Sequence, residues 1–279
     1  MSDGIIRIAM WSGPRNISTA MMRAWENRND TVVVDEPLYG PYLATTNKQH
    51  AMYQEIIKHQ GSDWRPIVKY LTEHIPMMSR VPTPSSDLEV TLNTSQNIFD
   101  SHANRVNTSQ HMPVHIFYQK HMSHHITEDV SLDFVDHLRN AFLIRHPNDV
   151  LSSYLRKHPR ATPSDLGYPQ QLELFNRVKQ NSGQVPPVFE SKDILMKPQD
   201  MLTKMCKALG VAFDENMLNW PKGYRDSDGI WAPHWYNRVI ESTGFAAYKP
   251  KENKLSKAEQ EIADACMPYY EALMTHKIS

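Results

Sequence analysis

The chain has 279 residues, and 30 Lys+Arg against 31 Asp+Glu leave a formal net charge of -1. That balance excludes a global basic field for nucleic acid and confines any positive patch to a local site. Two cysteines, Cys206 and Cys266, argue against a disulfide framework; with no leader-like start and no apolar run long enough for a bilayer, the expectation is a cytoplasmic protein off the membrane.

Residues 5–11 form an apolar run that reads as a strand. Ser12-Gly13-Pro14 breaks it, Arg15 follows, and Ile17, Met21, Met22 and Trp25 then recur at helix spacing. Residues 31–34 are a second apolar run. Strand, tight turn, helix and strand make a βαβ unit, with its turn at the carboxyl end of the strand. Free N–H groups and the positive end of the helix dipole meet there, which suits an anion. Arg15 adds a guanidinium, and Ser18 and Thr19 either cap the helix or offer hydroxyls to the same ligand. A Walker loop requires G-x-x-x-x-G-K-[ST]. Gly13 has no second glycine and no lysine after it, so an ordinary ATP or GTP hydrolase is disfavoured.

Asp35-Glu36-Pro37 ends the second strand on two carboxylates. Glu36 then shares the rim of the Arg15 loop, where it either bonds to backbone or faces a ligand. Helices are expected over 47–59 and 63–74. The polar stretch 80–111 is too long for a plain connection and reads as a lid or a weakly helical excursion. Residues 114–119 alternate as a strand and run into Lys120-His121-Met122-Ser123-His124-His125. Metal ligation, surface histidines and acid–base chemistry compete for that cluster. Metal is the weakest reading, because no Cys or carboxylate pattern accompanies it. Residues 140–144 are another strand, ending at Arg145. Pro147 then enters a helix that puts Asp149 and Ser153 on one face. A short strand over 187–190 follows, then a helix over 199–209 closed by Gly210, and an aromatic loop with a short helix over 220–245. Ser256-x-x-Glu259 is a capping box opening a C-terminal helix. Two arginines at two strand ends, with a carboxylate and a Lys/His cluster on the same rim, suit a ligand with anionic groups at two separated places.

These motifs resemble the sulfotransferase family that uses 3′-phosphoadenosine 5′-phosphosulfate (PAPS). Its modified phosphate loop, often P-R-S-G-T-T, is similar to Pro14-Arg15-Asn16-Ile17-Ser18-Thr19, with Ile17 at the usual glycine. Its R-x-P-x-D-x-x-x-S motif matches Arg145, Pro147, Asp149 and Ser153. A further Y-E-D-x-x-x-x-P segment has a partial match at Ser191-Lys192-Asp193 running to Pro198, and Pro221-Lys222-Gly223 with Arg225 stands where an R-K-G loop belongs. The resemblance implies an α/β, P-loop-like three-layer sandwich: one domain over 1–279, with a central parallel sheet flanked by helices and a lid or insertion at 80–111. It implies PAPS as co-substrate without a metal, and transfer of a sulfuryl group to a hydroxyl or amine of a small-molecule acceptor. Arg15, Asn16, Ile17, Ser18 and Thr19 would hold the 5′-phosphosulfate. Arg145 and Ser153 would hold the 3′-phosphate, and Ser191 and Arg225 would join the donor site. Lys120 with Arg15 would neutralise developing charge, and Glu36, or next His121, would be the base.

Two alternatives stand beside this. A phosphate-loop kinase-like phosphotransferase predicts a loop lysine, which is missing, and a magnesium ligand, for which Asp35 is available. A non-catalytic nucleotide-binding module predicts that Glu36 and Lys120 can be replaced while Arg145 cannot.

Overall fold

A continuous run of apolar residues suits a strand covered on both faces, and a parallel sheet is the form such strands take. In a computed structural model describing residues 4–76, 114–250 and 254–279, five strands do this. They are β1 (Ile6–Ser12), β2 (Thr31–Asp35), β3 (Ile116–Met122), β4 (Arg139–Ile144) and β5 (Val188–Glu190). Their order is β2-β3-β1-β4-β5, and every neighbouring pair is parallel. The chain builds β2 and β3 on one side of β1 and β4 and β5 on the other. The carboxyl end of β1 is therefore the switch point where an open α/β sheet leaves a crevice.

Alternation along the strands feeds two cores. Ile8, Met10, Ile116, Tyr118, Ala141 and Leu143 face α1 (Ser18–Glu26) and α9 (Pro198–Ala208). Ala9, Trp11, Phe117, Phe142 and Ile144 face α4 (Trp64–Glu73), α5 (Pro147–Tyr154), α7 (Tyr168–Ser182) and α12 (Lys257–Met274). The expected α/β sandwich, a parallel sheet between two helical layers, is what forms. Trp11 and Trp25 are fully buried on opposite faces; removing such a ring costs about 3–5 kcal/mol.

The elements depart from expectation in three places. Residues 47–59 are not one helix. Instead α2 (Tyr39–Thr46) ends at Asn47 (φ 53°), and α3 (Tyr53–Gln60) begins after Met52 (φ 62°). Pro41 lies in the first turn of α2, where its missing N–H has no intrahelical partner to lose. Gly40 lets α2 approach α3, since a Cβ there would stand 2.5 Å from the Gly61 carbonyl oxygen. Strand β3 runs to Met122, past the expected end at Gln119. The helix α7 carries Leu174, Phe175 and Val178 into the core and has no counterpart in the sequence reading. Two short helices, α6 (Pro163–Leu166) and α8 (Ser191–Met196), flank the site, and α10 (Ala232–Trp235) and α11 (Asn237–Ile240) form its outer wall. The Ser256/Glu259 box opens α12 as expected, and Gly210 (φ 69°) follows α9. The stretch 80–111 lies outside the described residues.

Candidate active site

The β1–α1 loop is held in a conformation that its own residues disfavour. Arg15 (φ 58°) and Ile17 (φ 49°) are both left-handed. For a β-branched residue this is a genuine outlier, and each such residue costs of order 1–3 kcal/mol. Surrounding contacts fix it. Asn16 Nδ2 donates to the Leu143 carbonyl at 2.5 Å, and Ser191 Oγ bonds to Asn16 Oδ1 and donates to the Ile144 carbonyl at 2.9 Å. Arg145 Nη1 donates to the Arg15 carbonyl at 3.0 Å. Gly13 passes so close to α6 that a Cβ would meet the Leu166 carbonyl oxygen at 2.6 Å.

This loop delivers an open helix start. Ile17 is the N-cap of α1, no side chain caps it, and the first turn carries no acid. The first intrahelical bond is Met21 N–H to the Ile17 carbonyl at 3.0 Å, so the preceding N–H groups are left for an anion. Ser18 and Thr19 do not cap; both line the adjoining cavity, whose volume is about 680 Å³.

Cations crowd the same end. Arg15 Nε and Arg156 Nη2 both donate to Ser153 Oγ, at 3.0 and 2.9 Å, and Arg145 lies 3.6 Å from Asp149. Arg238 of α11 and Lys249 line the cavity too. Burial, followed by repulsion from Arg156, Arg238 and Arg145, lowers the Arg15 pKa. A cluster of like charges that depress one another is relieved by a bound anion.

Glu36, itself left-handed (φ 42°), follows β2 directly and lines the same cavity. In the sheet register Asp35 and Met10 both stand opposite Lys120. Lys120 is 1% exposed and spends its three N–H donors on Asp35 Oδ1 (2.7 Å), Glu36 Oε1 (2.5 Å) and the Tyr236 hydroxyl (2.8 Å). The Tyr236 hydroxyl also accepts from the Trp231 indole at 3.0 Å and donates to Asp35 Oδ2 at 2.6 Å. Gly229 N–H completes Asp35 at 3.1 Å. Burial raises the pKa of Glu36, Lys120 opposes that rise and Asp35 adds to it, so the net direction is upward. Burial works against the Lys120 charge, but Asp35 and Glu36 outweigh it and keep the ammonium protonated.

Of the residues expected at the site, Arg15, Asn16, Ile17, Ser18, Thr19, Glu36, Arg145 and Ser153 line one cavity. Four expectations need correction. Lys120 sits behind Glu36, with every donor used. His121 lies on the other face of the sheet, stacked on Trp11 at 4.3 Å and hydrogen-bonded to Gln119, and burial lowers its pKa to about 3. The reason is the longer β3: inside a strand, neighbours 120 and 121 point opposite ways. Ser191 is buried beneath the loop and supports Asn16 without reaching the cavity. Arg225 lies near Glu26, the last residue of α1, and its backbone N–H donates to Asp228. That places it about 12 Å, one length of this helix, from the anion end. Arg238 and Lys249, which no motif marked, line the cavity instead.

The sequence reading also missed how much of the cavity is aromatic and imidazole. His124 and His125 are buried, so they are not surface histidines. Both line the cavity with Tyr39, His50, Tyr154 and Trp235. Among the described residues no group of three or more His, Cys, Asp or Glu is placed to hold a metal ion, and no helix is long and apolar enough to cross a membrane. Asp35 and Tyr236, which hold Lys120 and Glu36 together, were legible only as a neighbouring carboxylate and one aromatic among several.

The chain is 27% identical over 271 residues to branched-chain-amino-acid aminotransferase-like protein 1 of Arabidopsis thaliana, and 24% identical over 269 residues to protein 2 of that name. Each alignment takes in 96% of this chain, but only 42% and 41% of those relatives, so the chain spans about two fifths of their length. Among solved structures it is similar to the sulfotransferase domain from the curacin biosynthetic pathway (TM-score 0.47, 15% identity, 94% of this chain and 98% of that one). It is also similar to the sulfotransferase domain from the Synechococcus PCC 7002 olefin synthase (TM-score 0.43, 15% identity, 92% and 93%). The family model described as Sulfotransferase domain matches residues 6–79 and 91–277, most of the sequence, and the chain belongs to that family.

Proposed function

We propose that this chain is a PAPS-dependent sulfotransferase acting on a hydroxyl, or an amine, of a small molecule. The observation that carries this is one cavity lined by an uncapped helix start, clustered arginines and a carboxylate of raised pKa. The donor set fits the co-substrate. The N–H groups opening α1, with Arg15, Asn16, Ser18 and Thr19, would hold the 5′-phosphosulfate, and Arg145 and Ser153, joined by Arg238, the 3′-phosphate. When bound, PAPS supplies an activated sulfuryl group and a phosphate leaving group.

The chain's own residues do the rest. The α1 start and Arg15 offset charge on the leaving oxygen, which is worth most where water is excluded. Glu36 takes the acceptor proton; a carboxyl pushed upward is a better base near neutral pH than an ordinary one. Lys120 and Asp35 hold Glu36 in place from behind. The test is calorimetric titration with adenosine 3′,5′-bisphosphate against ATP and ADP, without and with magnesium. Metal-free binding of the bisphosphate, weakened in Arg145→Ala, is the expected result. Preference for ATP with magnesium would transfer the assignment to a kinase-like enzyme.

A further inference from the structure

Glu36 follows β2, and the conformation of its backbone decides where its carboxylate goes. Inside a strand, neighbouring side chains point to opposite faces, so an extended Glu36 would turn away from Asp35. Instead both carboxylates reach the same Lys120 ammonium, at 2.7 and 2.5 Å. The left-handed turn at Glu36 (φ 42°) is what brings them together. That turn runs against local preference twice. It is uncommon for a residue with a Cβ, and Pro37, next in the chain, pushes Glu36 toward the extended region. Released, Glu36 would return to that region and carry its carboxylate off Lys120.

Such a conformation persists only where its surroundings hold it. The angles φ and ψ relate the two peptide planes that flank a residue, and both planes at Glu36 are held. The first carries the Glu36 N–H, which donates to the Lys120 carbonyl at 3.0 Å. The second carries the Glu36 carbonyl, which accepts from the Tyr39 N–H at 3.1 Å and from Gln60 Nε2 at 3.0 Å. The Tyr39 bond is local to the turn. Gln60 ties the plane to α3, 24 residues on.

Gln60 is the last residue of α3 and is 3% exposed. Its amide is used on both sides, since Oε1 also accepts from the Gly40 N–H at 2.6 Å. A carboxylate in its place has no hydrogen for the Glu36 carbonyl, and an aliphatic chain has neither group. The fit is close: a Cβ on Gly40 would stand 2.9 Å from Gln60 Cβ. Among the described residues that line the cavity Gln60 is not one, so it can act only through Glu36.

We propose that Gln60 is a positioning residue for Glu36, locking the left-handed backbone that aims the carboxylate at Lys120 and the cavity. Its catalytic meaning rests on the sulfotransferase reading above, in which Glu36 takes the acceptor proton. The titratable groups around that carboxylate are Asp35 of β2, Lys120 of β3, Tyr39 of α2 and Tyr236 before α11. Burial and Asp35 raise the Glu36 pKa more than Lys120 lowers it. A carboxylate freed into water should fall back toward its ordinary value.

The experiment reads Glu36 directly. The full chain, labelled with carbon-13 at glutamate Cδ, is titrated by NMR, and the Glu36 signal is the one missing from Glu36→Gln. In the parent it should titrate above the ordinary carboxylate range. In Gln60→Met, which keeps the length and loses the amide, its midpoint should move down. Turnover of PAPS with 2-naphthol, used as a probe hydroxyl, should lose at least about tenfold in kcat, since a misplacement of about 1 Å costs about 10²-fold. KM for PAPS and affinity for adenosine 3′,5′-bisphosphate should not change. Gln60→Asn keeps the amide but is one methylene short; it should move both readings the same way by less, and it carries the test if Gln60→Met does not fold. Gln119→Met is the control. Gln119 is buried and its Nε2 holds the Leu71 carbonyl at 2.8 Å, so this variant should lose stability in urea while Glu36 titration and kcat stay put.

A parent-like Glu36 titration in the folded Gln60 variants overturns the proposal, as does loss of folding in both, which would make Gln60 a core residue only. A shift of equal size in Gln119→Met overturns it too. Failure of the bisphosphate to bind is a different failure, that of the sulfotransferase reading, and the titration still decides whether Gln60 holds Glu36.

Discussion

Two groups of side chains that line the cavity are built on opposite principles. The donor group gathers Arg15, Arg145 and Arg238, with Arg156 beside them, around a strained loop and an open helix start. The group around Glu36 is walled by rings and imidazoles, with one carboxylate held by a lysine that has no donor to spare. The first group stays unsatisfied until an anion arrives. The second is held together by ring stacking and the Lys120 network, and offers shape, imidazole nitrogens and one proton acceptor. Binding strength should therefore reside in the first group, and proton transfer in the second.

The sharpest way to break that division is Glu36→Gln. Turnover, followed as bisphosphate release from PAPS in the presence of 2-naphthol, should fall by about 10²–10⁴-fold, the usual contribution of a positioned base. Calorimetric affinity for the bisphosphate should not change. Retained turnover would remove Glu36 from the chemistry.

Next in size is Lys120→Met, which leaves Asp35 and Glu36 facing each other without their shared cation. Breaking a buried pair from one side costs about 3–5 kcal/mol, measurable by urea unfolding. A double variant, Lys120→Met with Asp35→Asn, should recover part of that loss, because the stranded charge goes with its partner. If Lys120→Met unfolds like the parent, the lysine is not the keystone of this group.

Arg145→Ala tests the donor group. Loss of one charge-assisted contact, about 1.5–3 kcal/mol, should weaken bisphosphate binding about 10- to 150-fold. Unchanged affinity would take Arg145 out of the donor group.

The smallest effect is one histidine's share of a pH slope. Unfolded histidines bind protons near 6.5, whereas burial holds His121 and His124 at about 3 and His125 well below 6.5. The unfolded chain thus binds more protons below pH 6.5. The stability from neutral burial is present above that value and lost as pH falls through it. The limiting slope is about 1.4 kcal/mol per pH unit for each such group. Urea midpoints at pH 7 and pH 5.5 should show it, and His125→Gln should flatten it.

Legibility in the sequence followed the same division. Arg15 sits in a contiguous strand–loop–helix, and Arg145 with Ser153 in a contiguous strand–helix, so their grouping is a matter of local spacing. The strands themselves followed from apolar runs for the same reason, whereas their order in the sheet and the two cores were not read. The group around Glu36 draws on α2, the segment after β3, the end of α5 and α10, which share no sequence pattern. A boundary error of three residues in β3 was enough to aim His121 at the wrong face and to put Lys120 against the ligand in expectation. No helix was read between Pro37, which ends the second strand, and residue 47, so α2 and with it the placement of Tyr39 were missed. Arg225 was put with the donor because it lay near a motif-like Pro-Lys-Gly, yet packing against α1 assigned it to Glu26.

The Asp35 carboxylate also sets an order of assembly. It joins β2 to Gly229 and Tyr236, 194 and 201 residues away, and Arg23 reaches Asp228 across 205. Loop closure over such separations has to be met before these bonds return anything, whereas the β1–α1 loop closes somewhat shorter ones, to Leu143, Arg145 and Ser191 at 127, 130 and 175 residues. The anion cradle should thus be in place while the wall beside Glu36 is still open. In refolding experiments, Trp231 fluorescence should reach its native value after far-ultraviolet ellipticity does, and simultaneous recovery would refute that sequence of events.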